Sequence, residues 1–457
     1  MMDSTDLTSG PVSAHLRRMA VPYSIGMVFA ILYNLVDTFF AGLLSTEALA
    51  ALAIAFPLFF ALVSLALGIN AAVVALVGNA LGGGDRAYAK RLICQSLSYA
   101  ALISVCLALV GFLVLPWLVD GVTAEAGTVR GLTTSYLNVL LIATPSFFLF
   151  YSANGTLLAQ GSAVTIMKAQ IGNLLANIVL TPLMVFGIPG LVDGIGFNGI
   201  ALSTLVSQTG AMTYTLRAVL RSETMRIDAP SVYRLRGDDS WNLTAQSFPT
   251  AIGMALIIFS GYIVQLYLKD FGAGAIAGFG IAVRVEQLLL LPGIALAFSL
   301  RPLVAQNFGA GEPGRVRESF SCCCKSGVLL MAAGAVLLWL GCRYAIALFA
   351  DDPEVIERGG EILAVLGFLM PFTFLVFTVN SLLQGLKRPA WVLWIIIYER
   401  GVGIALFAAL LLILWPMSVW AVWLGIATSV VSGCLLALAI AAAVARREIG
   451  GLFVPSS

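Results

Sequence analysis

Long apolar runs separated by short polar stretches dominate this chain. The runs are too long for the ~10-residue alternating strands of a membrane β-barrel, and each can form a helix that crosses a bilayer, which takes ~20 apolar residues. The pattern predicts twelve such spans, at about residues 17–43, 47–80, 90–118, 131–159, 164–187, 196–220, 242–269, 273–306, 318–349, 359–385, 390–414 and 419–445. We therefore predict an all-α integral membrane protein with twelve transmembrane helices.

The second half of the chain repeats the first. Residues 79–85 (NALGGGD) match residues 306–312 (QNFGAGE), and the GIA motif at 199–201 recurs at 425–427. Because each half has six spans, both halves enter the membrane in the same direction, as parallel repeats do. We expect two pseudo-symmetric six-helix lobes around a central cavity. The predicted parts are an N-terminal cytoplasmic tail (1–16), an N-lobe (17–220), a cytoplasmic linker (221–240), a C-lobe (241–445) and a C-terminal tail (446–457).

Composition and charge agree with this architecture. Only 11% of the residues are charged and 60% are hydrophobic, whereas a soluble domain carries roughly 25% charged residues. Most lysines and arginines fall in the N-terminal segment, the even-numbered loops and the C-terminal segment, and positive loops stay in the cytoplasm. We expect a monomer in the cell inner (plasma) membrane with both termini cytoplasmic. The net charge of +2 gives no indication of nucleic-acid binding.

An acidic residue, Asp37, lies inside the first apolar run. A carboxylate at that depth costs several kcal/mol unless it is paired, hydrated or protonated, and intramembrane acids usually mark ion or substrate pathways. Tyr33 and Asn34 share its helix face, at spacings of four and three residues. We therefore interpret Asp37 as the centre of the functional site.

Amide and hydroxyl side chains on other spans of the first half are candidate partners of Asp37. Their oxygens suit Na⁺, and the same groups could instead tune a proton site. Burial disfavours the ionised form of a carboxylate, which would bring its titration toward the physiological range. The alternative is that these groups only hydrogen-bond helices together. The candidates are Asn154 on the fourth span, Gln170, Asn173, Asn177 and Thr181 on the fifth, and Thr204 and Gln208 on the sixth.

The second half has no matching acid, because Val264 occupies the position of Asp37 in the repeat. Gln265 and Asn380 are candidate cavity residues there. A charged network is also expected, with pairs across helices such as Arg284 with Glu399, although lobe-internal salt bridges explain it equally well. Its members are Arg284, Glu286, Glu399 and Arg400.

No enzyme motif is present in the sequence. Residues 82–85 (GGGD) lack the lysine and hydroxyl ending of a phosphate-binding loop and are typical of a tight turn followed by a helix that starts at Asp85. We find no metal cluster, nucleophile motif or nucleotide motif, so we expect no enzymatic activity and no cofactor. Energy would come from a gradient of H⁺ or Na⁺.

The chain resembles the multidrug and toxic compound extrusion (MATE) family over residues 16–447. The resemblance rests on the VDTF motif at 36–39, residues 177–182 and 306–311, and the GIA motif at 199–201. With an acid in the first lobe alone, it is similar to the prokaryotic DNA-damage-inducible branch. That resemblance implies a cation site of Asp37, Asn177 and Thr204, in which Asp37 and Asn177 would be the ligands if the ion is Na⁺. The branch usually has a second aspartate where this chain has Thr181, and its loss favours H⁺ over Na⁺.

The resemblance implies a cation-coupled antiporter that exports amphipathic or cationic organic compounds, including drugs, by alternating access. Neutralisation of Asp37 would bend the first helix near Pro22 or Gly26 and release the substrate outward. A lipid-precursor flippase is one alternative, although few lysines or arginines lie in the spans. A major-facilitator transporter is another, and its halves should divide into inverted three-helix units. A scaffold protein without transport activity is the third alternative.

Overall fold

The computed structural model describes residues 6–122, 127–188 and 190–452, and helices make up nearly all of it. All twelve predicted spans are confirmed. They are α1 (Val12–Leu44), α2 (Thr46–Gly82), α3 (Arg86–Val122), α4 (Thr128–Ala159), α5 (Ala163–Phe186), α6 (Asn198–Leu220), α8 (Gly237–Leu268), α9 (Ala273–Gly309), α10 (Pro313–Ala347), α11 (Pro353–Gly385), α12 (Pro389–Ile396) with α13 (Gly403–Leu414), and α14 (Val419–Ile449). The protein is thus an all-α membrane protein with twelve transmembrane helices in two lobes.

Two spans depart from a uniform apolar helix. Eleven helical segments of the described chain are long and apolar enough to cross a membrane, and α6 is not among them. The reason is its polar content, since Ser203, Thr204, Ser207 and Gln208 lie within two turns. The eleventh span is interrupted by a π-helical turn, Ile397–Val402, between α12 and α13.

A short hairpin joins α5 to α6. Its strands β1 (Gly187–Ile188) and β2 (Val192–Asp193) are antiparallel, with Gly187 opposite Asp193. Gly187 has φ +77°, and a Cβ there would overlap the carbonyl oxygen of Val192, so only glycine fits. The hairpin therefore fixes the end of α5 beside the start of α6.

The repeated GIA motif has the same packing role in both halves. A Cβ on Gly199 would lie 2.6 Å from the backbone of Met184 on α5, and one on Gly425 would lie 2.7 Å from Ala408 on α13. Each glycine thus lets the sixth helix of its repeat touch the backbone of the fifth. In the first repeat this contact brings the polar faces of α5 and α6 together.

The turn between α2 and α3 has the predicted form. Gly84 adopts φ +76°, and the backbone N–H of Tyr88 donates to Asp85 Oδ1 at 2.8 Å. Asp85 thus caps the N-terminus of α3, as expected from the GGGD sequence.

Contacts divide the chain into two units whose boundaries lie inside helices. Unit 1 contains Ile25–Ala251, and unit 2 contains Leu7–Ser24 with Ile252–Ser457. The predicted lobes begin and end between helices, whereas these units are divided within α1 and α8. Pro22 and Pro249 occupy equivalent repeat positions, two residues before the divisions. A helix-interior proline removes one backbone hydrogen bond, so each divided helix is weakened at that point.

The N-terminal segment (residues 7–11) packs within unit 2 before α1 begins. The backbone N–H of Leu7 donates to Gln306 Oε1 at 3.0 Å, and its carbonyl accepts from Asn307 Nδ2 at 3.1 Å. Arg315 Nη2 donates to the carbonyl of Gly10 at 3.0 Å. The Gln306-Asn307 pair at the end of α9, which replaces Asn79-Ala80 of the first repeat, therefore anchors this segment.

The linker segment (residues 222–236) packs within unit 1 before α8 begins. It contains a single helical turn, α7 (Glu223–Arg226). Lys90 Nζ donates to the carbonyl of Ile227 at 3.1 Å, and Gln95 Nε2 donates to that of Val232 at 2.6 Å. Both residues belong to α3, so the linker is fixed along that helix.

Candidate functional site

Helix α1 holds Asp37 on the face that it turns into unit 1. Asp37 is only 2% exposed, although Leu35 and Phe39 on either side are 61% and 60% exposed. Asn34 has another role, since its Nδ2 donates to the carbonyl of Ala30, one turn earlier on α1, at 3.1 Å. Of the predicted polar stripe on α1, the buried members are therefore Asp37 and Tyr33.

Two neutral groups donate hydrogen bonds to the carboxylate of Asp37. Asn177 Nδ2 on α5 lies 3.2 Å from Oδ1, and Thr204 Oγ1 on α6 lies 3.1 Å from Oδ2. None of the ion pairs found among the described residues involves Asp37. The structure thus brings together the predicted trio of Asp37, Asn177 and Thr204, and an ionised Asp37 has no countercharge there.

Ser203 lies behind this trio. The sequence pattern did not identify it as a site residue. Its hydroxyl is 2.8 Å from Thr181 Oγ1 and accepts from Asn177 Nδ2 at 3.5 Å. Thr181 therefore reaches Asp37 through Ser203 and Asn177, with no direct hydrogen bond in the described structure. The position of Ser203 directly before Thr204 was the sequence signal for a role in the site. Single serines are common in membrane helices, so that signal is weak.

A second polar layer lies one turn along α6. Tyr33 Oη is 3.3 Å from Ser207 Oγ, and Asn173 Nδ2 donates to Gln208 Oε1 at 3.1 Å. Ser207 was also missed, although it follows Ser203 by one helical turn. The layer leaves Asn173 Oδ1 and Gln208 Nε2 buried without a partner. Unused polar atoms of this kind can bind a ligand or water.

Gln170 and Asn154 are further from the carboxylate. Gln170 is half-buried on α5 where α1 comes close, since a Cβ on Gly26 would lie 3.8 Å from Gln170 Cγ. Asn154 is buried on α4 with Oδ1 unpartnered. It lies ~8 Å from the α4–α5 turn along the helix axis, whereas Asn177 lies ~21 Å beyond the start of α5. The structure therefore does not join Asn154 to Asp37.

The candidate residues of the second half do not form one site. Gln265 is exposed, and Asn380 is buried with Oδ1 unpartnered. Glu399 Oε1 lies 3.1 Å from Arg400 Nη2, which replaces the expected pair with Arg284, an exposed residue. Glu399 and Arg400 are neighbours in the π-helical turn, whose wider backbone rotates less per residue than an α-helix and lets them meet.

Glu286 is half-buried on α9, and no ion pair joins it to an arginine in the described structure. The four charged candidates of the second half thus contain one pair, Glu399 with Arg400.

The orientation of Asn177 bears on which cation the site can take. Its Nδ2 points to Asp37, while its Oδ1 is buried without a partner. An amide nitrogen is not a ligand of Na⁺, so Asn177 would join a Na⁺ site only after its amide rotates by ~180°. A proton would bind to either carboxylate oxygen without this rotation.

A family model and individual relatives both match most of this chain. The MatE family model matches residues 22–183 and 249–408, one segment in each repeat. The chain is 29% identical over 361 residues to the FAD transporter of Shewanella oneidensis, which covers 78% of both chains. It is 24% identical over 363 residues to the multidrug export protein MepA of Staphylococcus aureus, covering 78% of this chain and 77% of the relative.

Solved structures share the fold. A MOP superfamily transporter from Pyrococcus furiosus superposes with a TM-score of 0.89 at 20% identity and covers 99% of both chains. A mutant of the Vibrio cholerae MATE transporter VcmN superposes with a TM-score of 0.88 at 18% identity, over 95% of this chain and 97% of that one. These solved proteins thus share the fold of this chain along nearly its whole length.

Proposed function

Because this chain belongs to the MATE family of membrane transporters, we propose that it exports amphipathic organic compounds, cationic ones among them, in exchange for a cation that binds at Asp37. The proton is the favoured coupling ion, and Na⁺ is the alternative. Membership of this family excludes the alternative that the chain is a major-facilitator transporter. Export across the plasma membrane and the identity of the ion are parts of the proposal.

The observation that carries the proposal is the environment of Asp37. The carboxylate is almost fully buried and has two neutral hydrogen-bond donors and no countercharge among the described residues. A buried carboxylate is stable only when something neutralises it, so it has a strong tendency to take up a cation. A group that alternates between a bound and an unbound cation is what coupled transport requires.

Uptake of a proton would weaken the contacts that hold α1. Asn177 and Thr204 bind a charged acceptor when Asp37 is ionised, and hydrogen bonds to charged groups are worth ~1.5–3 kcal/mol each. Protonation reduces both at once, which loosens α1 from α5 and α6. The weak point near Pro22 then allows the helix to bend. Through this change the cation would favour one conformation over another.

Two substrate classes are candidates. Similarity to the multidrug exporter MepA supports amphipathic drugs. Similarity to the Shewanella oneidensis FAD transporter favours a second candidate, transport of FAD or a related flavin nucleotide. Parallel efflux assays with a cationic dye and with FAD would decide between them.

The test uses the purified protein in liposomes. Efflux of a cationic dye is measured under a proton gradient without Na⁺, and under a Na⁺ gradient without a pH difference. We expect proton-driven efflux in the wild type and only the protein-free background in Asp37→Asn. Asp193→Asn, which changes an exposed aspartate of the α5–α6 hairpin, is the matched control and should retain efflux. Full proton-driven efflux by a correctly inserted Asp37→Asn protein would contradict the role of Asp37.

A further inference from the structure

Arg301 on α9 is a buried cation that the transport cycle described above does not use. Its side chain lies in unit 2 and is 3% exposed. Nε is enclosed and has no hydrogen-bond partner. No ion pair of the described residues includes Arg301, and none of the hydrogen bonds found there involves its guanidinium. Within the described part of the chain, the charge is therefore buried without an anion, and its Nε has no acceptor.

Other arginines of unit 2 show how unusual this is. Arg317 Nε donates to the carbonyl of Gly451 at 2.8 Å, Arg315 Nε donates to Asn307 Oδ1 at 3.0 Å, and Arg400 pairs with Glu399. Each of these is more exposed than Arg301 and still has an acceptor. Buried arginines are almost always paired, because an unpaired charge loses its hydration without compensation. The absent acceptor at Arg301 points to one that arrives from outside the chain.

One aromatic ring lies against the guanidinium, and two further rings pack against that ring. Cζ of Arg301 lies 4.9 Å from the ring centre of Phe298, one turn earlier on α9. The Phe298 ring is 6.4 Å from that of Tyr23 and 6.1 Å from that of Phe377, both within unit 2. All three rings are half-buried, so they have surface left for contact. Such rings hold the guanidinium in place and can stack on planar groups.

We propose that Arg301, with Tyr23, Phe298 and Phe377, forms a binding site for aromatic organic anions, planar compounds that carry a carboxylate or phosphate group. The guanidinium has five N–H donors in a fixed fork that matches both groups. The rings supply the stacking surface for the planar part. The inference rests on the proposed export function and deepens it, because it gives the anionic substrate class, to which flavin nucleotides belong, a binding site in unit 2.

The test compares two dyes with the same xanthene ring system and opposite charge. Fluorescein is the anion and rhodamine 123 is the cation. Binding to the purified protein is measured by fluorescence polarisation, and efflux is measured in phosphatidylcholine liposomes, which exclude anionic lipid headgroups as competitors for Arg301. The variants are Arg301→Gln and Arg301→Lys. Arg343→Gln, which changes an exposed arginine of unit 2, is the matched control.

We expect Arg301→Gln to weaken fluorescein binding ~10–100-fold, the usual effect of losing a charge-assisted hydrogen bond, and to leave rhodamine 123 binding unchanged. Arg343→Gln should bind both dyes as the wild type does. Wild-type affinity of Arg301→Gln for fluorescein, or no fluorescein binding by the wild type, would overturn the site. If Arg301→Gln binds neither dye, binding of fluorescein by Arg301→Lys decides whether the anion site or the whole protein has been damaged. Recovered fluorescein binding in Arg301→Lys supports the site, and continued loss overturns it.

Asp37→Asn separates this inference from the proposed function. It should still bind fluorescein but should not export it under a proton gradient. Export of fluorescein by Asp37→Asn would refute coupling through Asp37 and leave the anion site intact. Unchanged fluorescein binding by Arg301→Gln would refute the anion site and leave the coupling role intact.

Discussion

Replacing Thr204 with valine removes one of the two hydrogen bonds to Asp37, together with a hydroxyl contact to Tyr33, and keeps the shape of the side chain. Thr204 is 3% exposed, and its Oγ1 donates to Asp37 Oδ2 at 3.1 Å. Valine has nearly the same shape and a similar helix propensity, so α6 should keep its packing. The change therefore isolates one donor to the coupling carboxylate.

The size of the effect follows from the strength of that hydrogen bond. A bond to a charged group is worth ~1.5–3 kcal/mol, and it stabilises the ionised carboxylate more than the protonated one. Without it, Asp37 holds its proton to a higher pH. Since one pH unit corresponds to ~1.36 kcal/mol, the pH midpoint of transport should rise by ~1–2 units.

The assay is proton-driven dye efflux from liposomes at a fixed pH difference, with both pH values moved together. The midpoint of the rate against pH is compared between wild type and Thr204→Val. Thr213→Val is the matched control, because Thr213 lies on the same helix and donates only to the carbonyl of Thr209, at 2.7 Å. Its midpoint should equal that of the wild type.

An unchanged midpoint, or one that moves to lower pH, would refute the reasoning. It would mean that Thr204 does not stabilise the charged form, or that another group sets the pH dependence. A reduced rate with an unchanged midpoint would likewise separate Thr204 from the titration of Asp37.

Two further predictions concern packing and the N-terminal segment. Gly327→Ala should lower the temperature of thermal unfolding, since its Cβ would overlap the ring of Phe374 and overpacking costs ~1–3 kcal/mol. Gly341→Ala on the same helix, with no atom within 4 Å of its Cβ, should leave that temperature unchanged or raise it. Arg315→Gln should speed hydrogen exchange in residues 7–11 roughly tenfold by removing a charged hydrogen bond, whereas exchange in residues 222–236 should stay the same.

The spans and the trio at Asp37 were predictable because strong physical constraints act on them. A membrane helix must be apolar along ~20 residues, so an acid such as Asp37 is conspicuous. Asn177 fell on a stripe of amides at helical spacing. Thr204 was a candidate among the polar residues of the sixth span, and the resemblance to the MATE family grouped it with Asp37 and Asn177. The structure then joined these three residues by two hydrogen bonds.

Other features could not be inferred from apolar patterns. Ser203 and Ser207 contribute hydroxyls to the site, but serine is tolerated in a membrane helix and carries no positional signal. The π-helical turn Ile397–Val402 changes the partner of Glu399, and nothing in the hydropathy of the eleventh span marks it. The apolar run also continues through the division within α1 without a break, although Pro22 and Gly26, the predicted bend positions, flank it.

The packing of the N-terminal segment has a consequence for biogenesis. Leu7 hydrogen-bonds to Gln306, which follows it by 299 residues. At a synthesis rate of ~5–20 residues per second, those partners emerge from the ribosome ~15–60 s later. Until then the start of α1 has none of its native neighbours from unit 2. Unit 2 therefore cannot be completed until Gln306 has been translated, and residues 7–11 reach their final place long after they are made.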